Sequence, residues 1–170
     1  MRIGIPKEIK PLEGRVALIP PAAGEAVRHG HRVFLQAGAG IASGYRDDEY
    51  TRVGVEIVPD AAAVYEHAQL VVKVKEPIAP EFPLLREDHI VFSYLHLAAN
   101  PPLARVLQEK GLIAVAFETV EVKGRLPLLA PMSDIAGRLS VHIGMNLLHA
   151  PRGGRGVMLG GMAGTERGRV

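Results

Sequence analysis

The chain has no cysteine and no tryptophan. Without cysteine there are no disulfides, no thiol catalysis and no cysteine-based zinc site, and no other metal site is expected. Aromatic residues are scarce, at 5%, which argues against an RNA-binding surface built on stacked rings. No apolar run is long enough to span a bilayer. The opening Met1-Arg2-Ile3-Gly4-Ile5-Pro6-Lys7-Glu8 carries early charges and lacks the apolar stretch of a signal peptide. Charge of one sign is not in excess either. Lys and Arg total 20 against 18 Asp and Glu, a net charge of +2. The charges are scattered, without the basic block that nucleic acid or an anionic membrane would require. A cytoplasmic protein is the expectation.

What is present suits a folded domain. The 170 residues are 48% hydrophobic and 22% charged, enough to build a core. Nineteen Gly and 13 Pro promise many turns. Strands are expected at 2–5, 31–36, 56–58, 70–74, 90–93 and 113–117. Helices are expected at 20–29, 47–53, 61–67 and 101–110. Pro20 suits a helix start and Gly30 a stop; Asn100 and Gly111 bracket 101–110 in the same way. The runs 70–74 and 90–93 are β-branched and apolar, as strands buried on both faces are. Alternating strands and helices predict a Rossmann-like (flavodoxin-like) α/β fold, a three-layer, mostly parallel sheet with helices on both faces. Strand order is not readable. Residues 122–126 suggest a tight hairpin. Residues 132–149 read as the longest helix, with Ile135, Leu139, Ile143 and Leu147 repeating at i+4 and Val141, Met145 and Leu148 adding a second apolar stripe.

In open α/β sheets, ligands bind outside the carboxyl ends of the strands. Arg15 follows the first expected strand by a loop, Lys75 follows the fourth, Tyr94 and His96 the fifth, and Glu118 the sixth. Arg and Lys suit a small carboxylate, and His can exchange a proton near neutral pH. Each alone has an ordinary reading as a solvated loop residue, a structural histidine or a turn cap. Their shared placement points to proton transfer on a keto or amino acid. Gly38-Ala39-Gly40 and Gly160-Gly161-Met162-Ala163-Gly164 are fragments of glycine-rich loops, but neither reads as a dinucleotide fingerprint between a strand and a helix.

Several ordered motifs resemble the alanine dehydrogenase and nicotinamide nucleotide transhydrogenase family, alanine dehydrogenases most of all. They are Gly4-Ile5-Pro6-Lys7-Glu8, Arg15-Val16-Ala17, Lys73-Val74-Lys75-Glu76-Pro77, Tyr94-Leu95-His96-Leu97-Ala98 and Leu128-Leu129-Ala130-Pro131-Met132-Ser133. Gly153-Gly154-Arg155-Gly156-Val157 and the later glycine-rich stretch continue the match. The resemblance implies NAD-dependent, reversible oxidative deamination of L-alanine to pyruvate and ammonia. It implies that Arg15 and Lys75 bind the substrate carboxylate and carbonyl. His96 becomes the acid/base; Tyr94, Glu118, Leu129 and Met132 line the pocket; Ser133 lies toward the nicotinamide.

The resemblance also implies a homo-oligomer, commonly a hexamer, and a longer chain. Residues 1–130 would be an incomplete substrate domain, 131–150 a connecting helix, and 151–170 a glycine-rich lead-in to a nucleotide-binding domain. Alone, the chain is expected to be inactive. Two other readings stay open at this point. One is a non-catalytic ligand-binding or subunit module; the other is the soluble part of a split transhydrogenase-like enzyme.

Overall fold

The computed structural model describes residues 1–160 and 163–164. The glycine-rich stretch at 160–164 and the end of the expected lead-in therefore lie partly outside the described residues. The chain divides into two compact units, Met1–Val120 and Glu121–Val170.

The first unit alternates strand and helix throughout: β1 (Arg2–Ile5), α1 (Pro20–Arg28), β2 (Arg32–Gln36), α2 (Asp47–Thr51), β3 (Glu56–Val58), α3 (Ala61–His67), β4 (Leu70–Val72), β5 (Ile90–Ser93), α4 (Pro101–Lys110) and β6 (Ile113–Ala116). The six strands form one sheet in the order β3-β2-β1-β4-β5-β6, and every pairing is parallel. The order reverses between β1 and β4, the switch point of a doubly wound sheet. The caps read from sequence for α4 are in place: Asn100 accepts the Leu103 N–H at 3.3 Å and Gly111 ends the helix at φ 67°. Asp60 caps α3 in the same way, accepting the Ala63 N–H at 2.8 Å.

Both faces of the sheet are covered. Ile3, Ile5, Val33, Leu35 and Val72 pack with Ala23 of α1 and Tyr50 of α2. Val71 and Val91 pack with Tyr65 of α3 and with Leu103 and Leu107 of α4. Val71 and Val72 are neighbours in one strand, so the two clusters lie on opposite faces. Gly4 marks where α3 comes closest. A Cβ there would sit 2.8 Å from both Ala68 Cβ and Val64 Cγ1, and 3.2 Å from the Val64 carbonyl. Gly4→Ala should therefore cost about 1–3 kcal/mol by overpacking, read as a lowered urea midpoint. A loss below about 0.5 kcal/mol would mean that α3 shifts freely.

Element boundaries moved where backbone groups find other partners. β4 ends at Val72 rather than at residue 74, because a carboxylate, that of Glu8, accepts the Val74 and Lys75 N–H groups. Short 3₁₀ turns follow β2, β5 and β6, at Ile41–Ser43, Leu97–Ala99 and Phe117–Thr119. Another, Ala79–Leu84, lies between β4 and β5.

The second unit holds the expected tight turn, bridged from Val122 to Arg125, and the long helix α5 (Ala130–Leu148). Its apolar stripe is on the surface: Ile135, Leu139, Val141, Ile143, Met145 and Leu147 are all exposed. Among the described residues no helix is long and apolar enough to cross a membrane.

Candidate active site

The carboxyl ends of β1, β4, β5 and β6 all open onto one edge of the sheet, and each delivers a polar loop there. The segment after β1 is 6–19. It has no regular structure, yet its backbone is tied down at several points. Ser43 Oγ accepts the Val16 N–H at 3.1 Å and donates to the Gly14 carbonyl at 2.9 Å, and the Tyr50 hydroxyl donates to the Leu18 carbonyl at 2.9 Å. Lys10 Nζ pairs with Glu76 just beyond β4. Arg15 is held from this loop. Its Nε and Nη2 donate to the Glu13 carboxylate at 2.8 and 2.6 Å, a two-point grip that fixes the plane of the guanidinium. The Glu13 side chain is only 8% exposed against 47% for Arg15, so the anchor is buried and the cation faces solvent. The Arg15 hydrogen bond is the main cause that holds Glu13 below the usual carboxylate range.

Lys75 leaves β4 beside this pair and lies within electrostatic reach of Glu13. Its half-buried position is set from below by Glu8. One oxygen of Glu8 accepts the Val74 N–H at 2.6 Å and the Lys75 N–H at 3.3 Å. The other lies 3.5 Å from Lys73 Nζ. Lys73, only 1% exposed, donates to Glu81 at 2.6 Å, and the Tyr65 hydroxyl donates to the same oxygen at 3.0 Å. Burial is the first cause that pushes the Glu8 carboxyl up from its ordinary range; Lys73 and the two N–H groups pull against it.

At the end of β5 the Tyr94 ring lies nearly parallel to that of His96, with centroids 6.1 Å apart. Phe117 meets Tyr94 edge-on at 5.1 Å. Burial is the first cause that raises the Tyr94 phenol, with Arg15 lowering it and Glu118 raising it. His96 is exposed and stands at φ 49°, ψ 39°, in the left-handed region. It borders an open depression of about 340 Å³ with Glu118 and Thr119. It is also within reach of Glu76. Burial would raise the Glu76 carboxyl, but the Lys10 hydrogen bond, a backbone N–H and His96 together hold it below its usual range.

Arg15, Lys75, Tyr94, His96 and Glu118 thus gather at one edge of the first unit. Leu129, Met132 and Ser133 belong to the second unit, where Leu129 caps α5 and its carbonyl accepts the Met132 and Ser133 N–H groups at 3.1 and 3.2 Å. Sequence reasoning missed Glu8, Glu13, Lys73 and Glu81. The E-x-R spacing of Glu13 and Arg15 was the one visible signal.

A dinucleotide needs backbone N–H groups aimed at its pyrophosphate. The described residues offer no such cradle. The turn after β1 is Pro6-Lys7-Glu8, and the Lys7 N–H is taken by Gln36 at 2.9 Å. The glycine turn after β2 is already filled: Asp47 accepts the Gly38 N–H at 2.9 and 3.1 Å, and a Cβ at Gly40 would sit 2.8 Å from the Tyr50 ring. These residues suit a small carboxylate and do not fit the phosphates of NAD.

Residues 4–136 match the family described as alanine dehydrogenase/PNT, N-terminal domain. Alanine dehydrogenase of Bacillus subtilis (strain 168) is 46% identical over 170 residues, covering all of this chain and 45% of that protein. Alanine dehydrogenase of Methanococcus maripaludis is 46% identical over 171 residues, again all of this chain and 46% of the other. The chain spans about half the length of the curated relatives it matches. A solved L-alanine dehydrogenase superposes with a TM-score of 0.88 at 48% identity, covering 99% of this chain and 46% of that one. A transhydrogenase from Sinorhizobium meliloti superposes at 0.66 with 30% identity, covering 69% of this chain and 34% of that one.

Proposed function

The chain belongs to the alanine dehydrogenase/PNT N-terminal domain family, and on that premise we propose that it is the substrate-binding part of an NAD-dependent alanine dehydrogenase. The reaction is the reversible oxidative deamination of L-alanine to pyruvate and ammonia. The observation that carries this reading is the convergence of Arg15, Lys75, Tyr94 and His96 at the carboxyl edge of the sheet. On this reading residues 1–130 are an incomplete substrate domain, 131–150 a connecting helix and 151–170 a glycine-rich lead-in to the nucleotide-binding part. We assign the protein to the cytoplasm and to a homo-oligomer, a hexamer as the resemblance implies. The greater identity and coverage of the alanine dehydrogenase structure favour this reading over a transhydrogenase-like one.

The chemistry follows from the side chains. Arg15, already oriented by Glu13, pairs with the substrate carboxylate. Lys75 places a compact positive charge beside the C2 carbonyl oxygen and polarises it. His96 takes a proton from the water that attacks the imine carbon and returns it to the departing amine. Tyr94 lines the pocket at this edge; the lining roles that the resemblance implies for Leu129 and Met132, and the nicotinamide-side role of Ser133, fall on the second unit. NAD supplies the hydride acceptor when bound, and among the described residues none forms a cradle for its phosphates. That supports the proposal that the chain alone is inactive.

Calorimetric titration with pyruvate tests the reading directly. The chain should bind pyruvate, and Arg15→Ala should weaken binding by about tenfold or more, the loss of a two-point charged contact. Unchanged affinity in Arg15→Ala would remove Arg15 from the site. Alanine-dependent NAD reduction should appear only when the nucleotide-binding remainder is supplied. Reconstituted activity without alanine dependence would favour the transhydrogenase-like reading.

A further inference from the structure

The parallel register of β5 and β6 pairs Ser93 with Ala116. The turn that carries His96 and the turn that carries Glu118 therefore leave the sheet side by side. Glu118 does not simply face the depression. Its Oε1 accepts the His96 N–H at 2.7 Å and the Leu95 N–H at 3.2 Å, and its Oε2 lies 3.3 Å from the same Leu95 nitrogen. Two successive N–H groups converging on one carboxylate form an anion-holding nest. Here the anion comes from the neighbouring strand's own loop.

His96 needs such a hold. It is one of three non-glycine residues at positive φ among the described residues. A residue with a Cβ stays in that region only where its surroundings keep it there. On one side Leu95 is fully buried. On the other, His96 opens the 3₁₀ turn Leu97–Ala99, its carbonyl accepting the Ala99 N–H at 3.0 Å. Between these fixed points the Glu118 carboxylate closes the bend.

We propose that Glu118 is a positioning residue. It clamps the left-handed turn at His96 through backbone hydrogen bonds and so aims the imidazole, rather than touching substrate. This rests on the acid/base role of His96 given above. It replaces the expectation that Glu118 lines the substrate pocket.

Two variants separate reach from charge. Glu118→Gln keeps the length of the arm and an oxygen in the Oε1 position but loses the charge. Glu118→Asp keeps the charge and withdraws the oxygens by one methylene. The readouts are amide hydrogen exchange, followed by NMR on the whole chain, and the pyruvate dissociation constant. Glu118→Asp should speed exchange at Leu95 and His96 by about tenfold, the loss of a charge-assisted hydrogen bond. Exchange in β1 and β2 should not change. Glu118→Gln should stay within about threefold of the parent at both amides, because the bonds to Oε1 survive. Pyruvate affinity should hold in both variants.

Unchanged exchange in Glu118→Asp would overturn the clamp. So would a tenfold loss of pyruvate affinity in Glu118→Gln with both amides still protected, which would make Glu118 a substrate ligand. Should the parent chain bind no pyruvate, the functional reading fails, while the exchange experiment still decides whether the clamp exists.

Discussion

Replacing Lys73 by methionine is expected to lower stability by about 3–5 kcal/mol at neutral pH, the range for breaking a buried ion pair by removing one partner. Lys73 is 1% exposed, and the Glu8 and Glu81 side chains beside it are each 4% exposed. Methionine fills a similar volume, so the loss is electrostatic rather than a cavity effect. Glu81 would keep only the Tyr65 hydroxyl and the Ile78 N–H, and Glu8 the two N–H groups at the end of β4.

The deficit should depend on pH with a definite sign. The Glu8 carboxyl is raised in the fold, burial being the first cause. A carboxyl raised above its unfolded value favours folding when protonated. That contribution is full below the ordinary glutamate range and is lost as pH rises through the raised folded value. Removing Lys73 takes away the main influence that lowers Glu8, so the folded value climbs further and the loss extends to higher pH. Urea denaturation of parent and variant at intervals from acid to neutral pH checks this. The gap should be widest at neutral pH and narrow toward acid. A small gap that ignores pH would mean that Lys73 is not the counter-charge of the pair.

His96→Ala should have the largest effect on turnover. In the enzyme completed by its nucleotide-binding remainder, the turnover rate should fall by about 10²–10⁴-fold, the usual contribution of a positioned acid/base. Pyruvate affinity of the chain should change far less, since the proposed reading gives the carboxylate to Arg15 and the carbonyl oxygen to Lys75, not to His96. Steady-state rates paired with calorimetry separate the two effects. Activity within about tenfold of the parent would take the proton-transfer role away from His96. The imidazole is held by backbone geometry and by the Tyr94 ring, so the substitution should leave the fold intact.

Much of this arrangement is legible from residues that act locally. The runs at 70–74 and 90–93 announce central strands because both faces of a parallel strand are buried. Asn100 brackets α4 through its side-chain oxygen and Gly111 through the positive φ that its lack of a side chain permits. Arg15, Lys75, Tyr94 and His96 emerge together because a parallel sheet puts all its strand ends on one edge. What escaped is non-local. Lys73 alternates with apolar neighbours and reads like any polar strand residue. Only the fold brings Glu8 and Glu81 to it and shuts out water. Glu118 was found by its place after β6, but the target of its carboxylate depends on the register of β5 with β6. The end of β4 was misjudged for the same reason, since Glu8 arrives from 66 residues earlier in the chain to take the Val74 N–H.

The central place of β1 also sets when this site can exist. β1 pairs with β2 and with β4, matching Ile3 to Val33 and to Leu70. β1 must wait for β4 before its second edge is satisfied. At the ribosome's pace of roughly 5–20 residues per second, the stretch between Ile3 and Leu70 takes seconds to emerge, and Glu118 follows later still. During that interval Arg15 is already made but has neither Lys75 nor His96 beside it. Distant parallel pairings close slowly, so the edge that gathers Arg15, Lys75 and His96 is completed late in the folding of this unit.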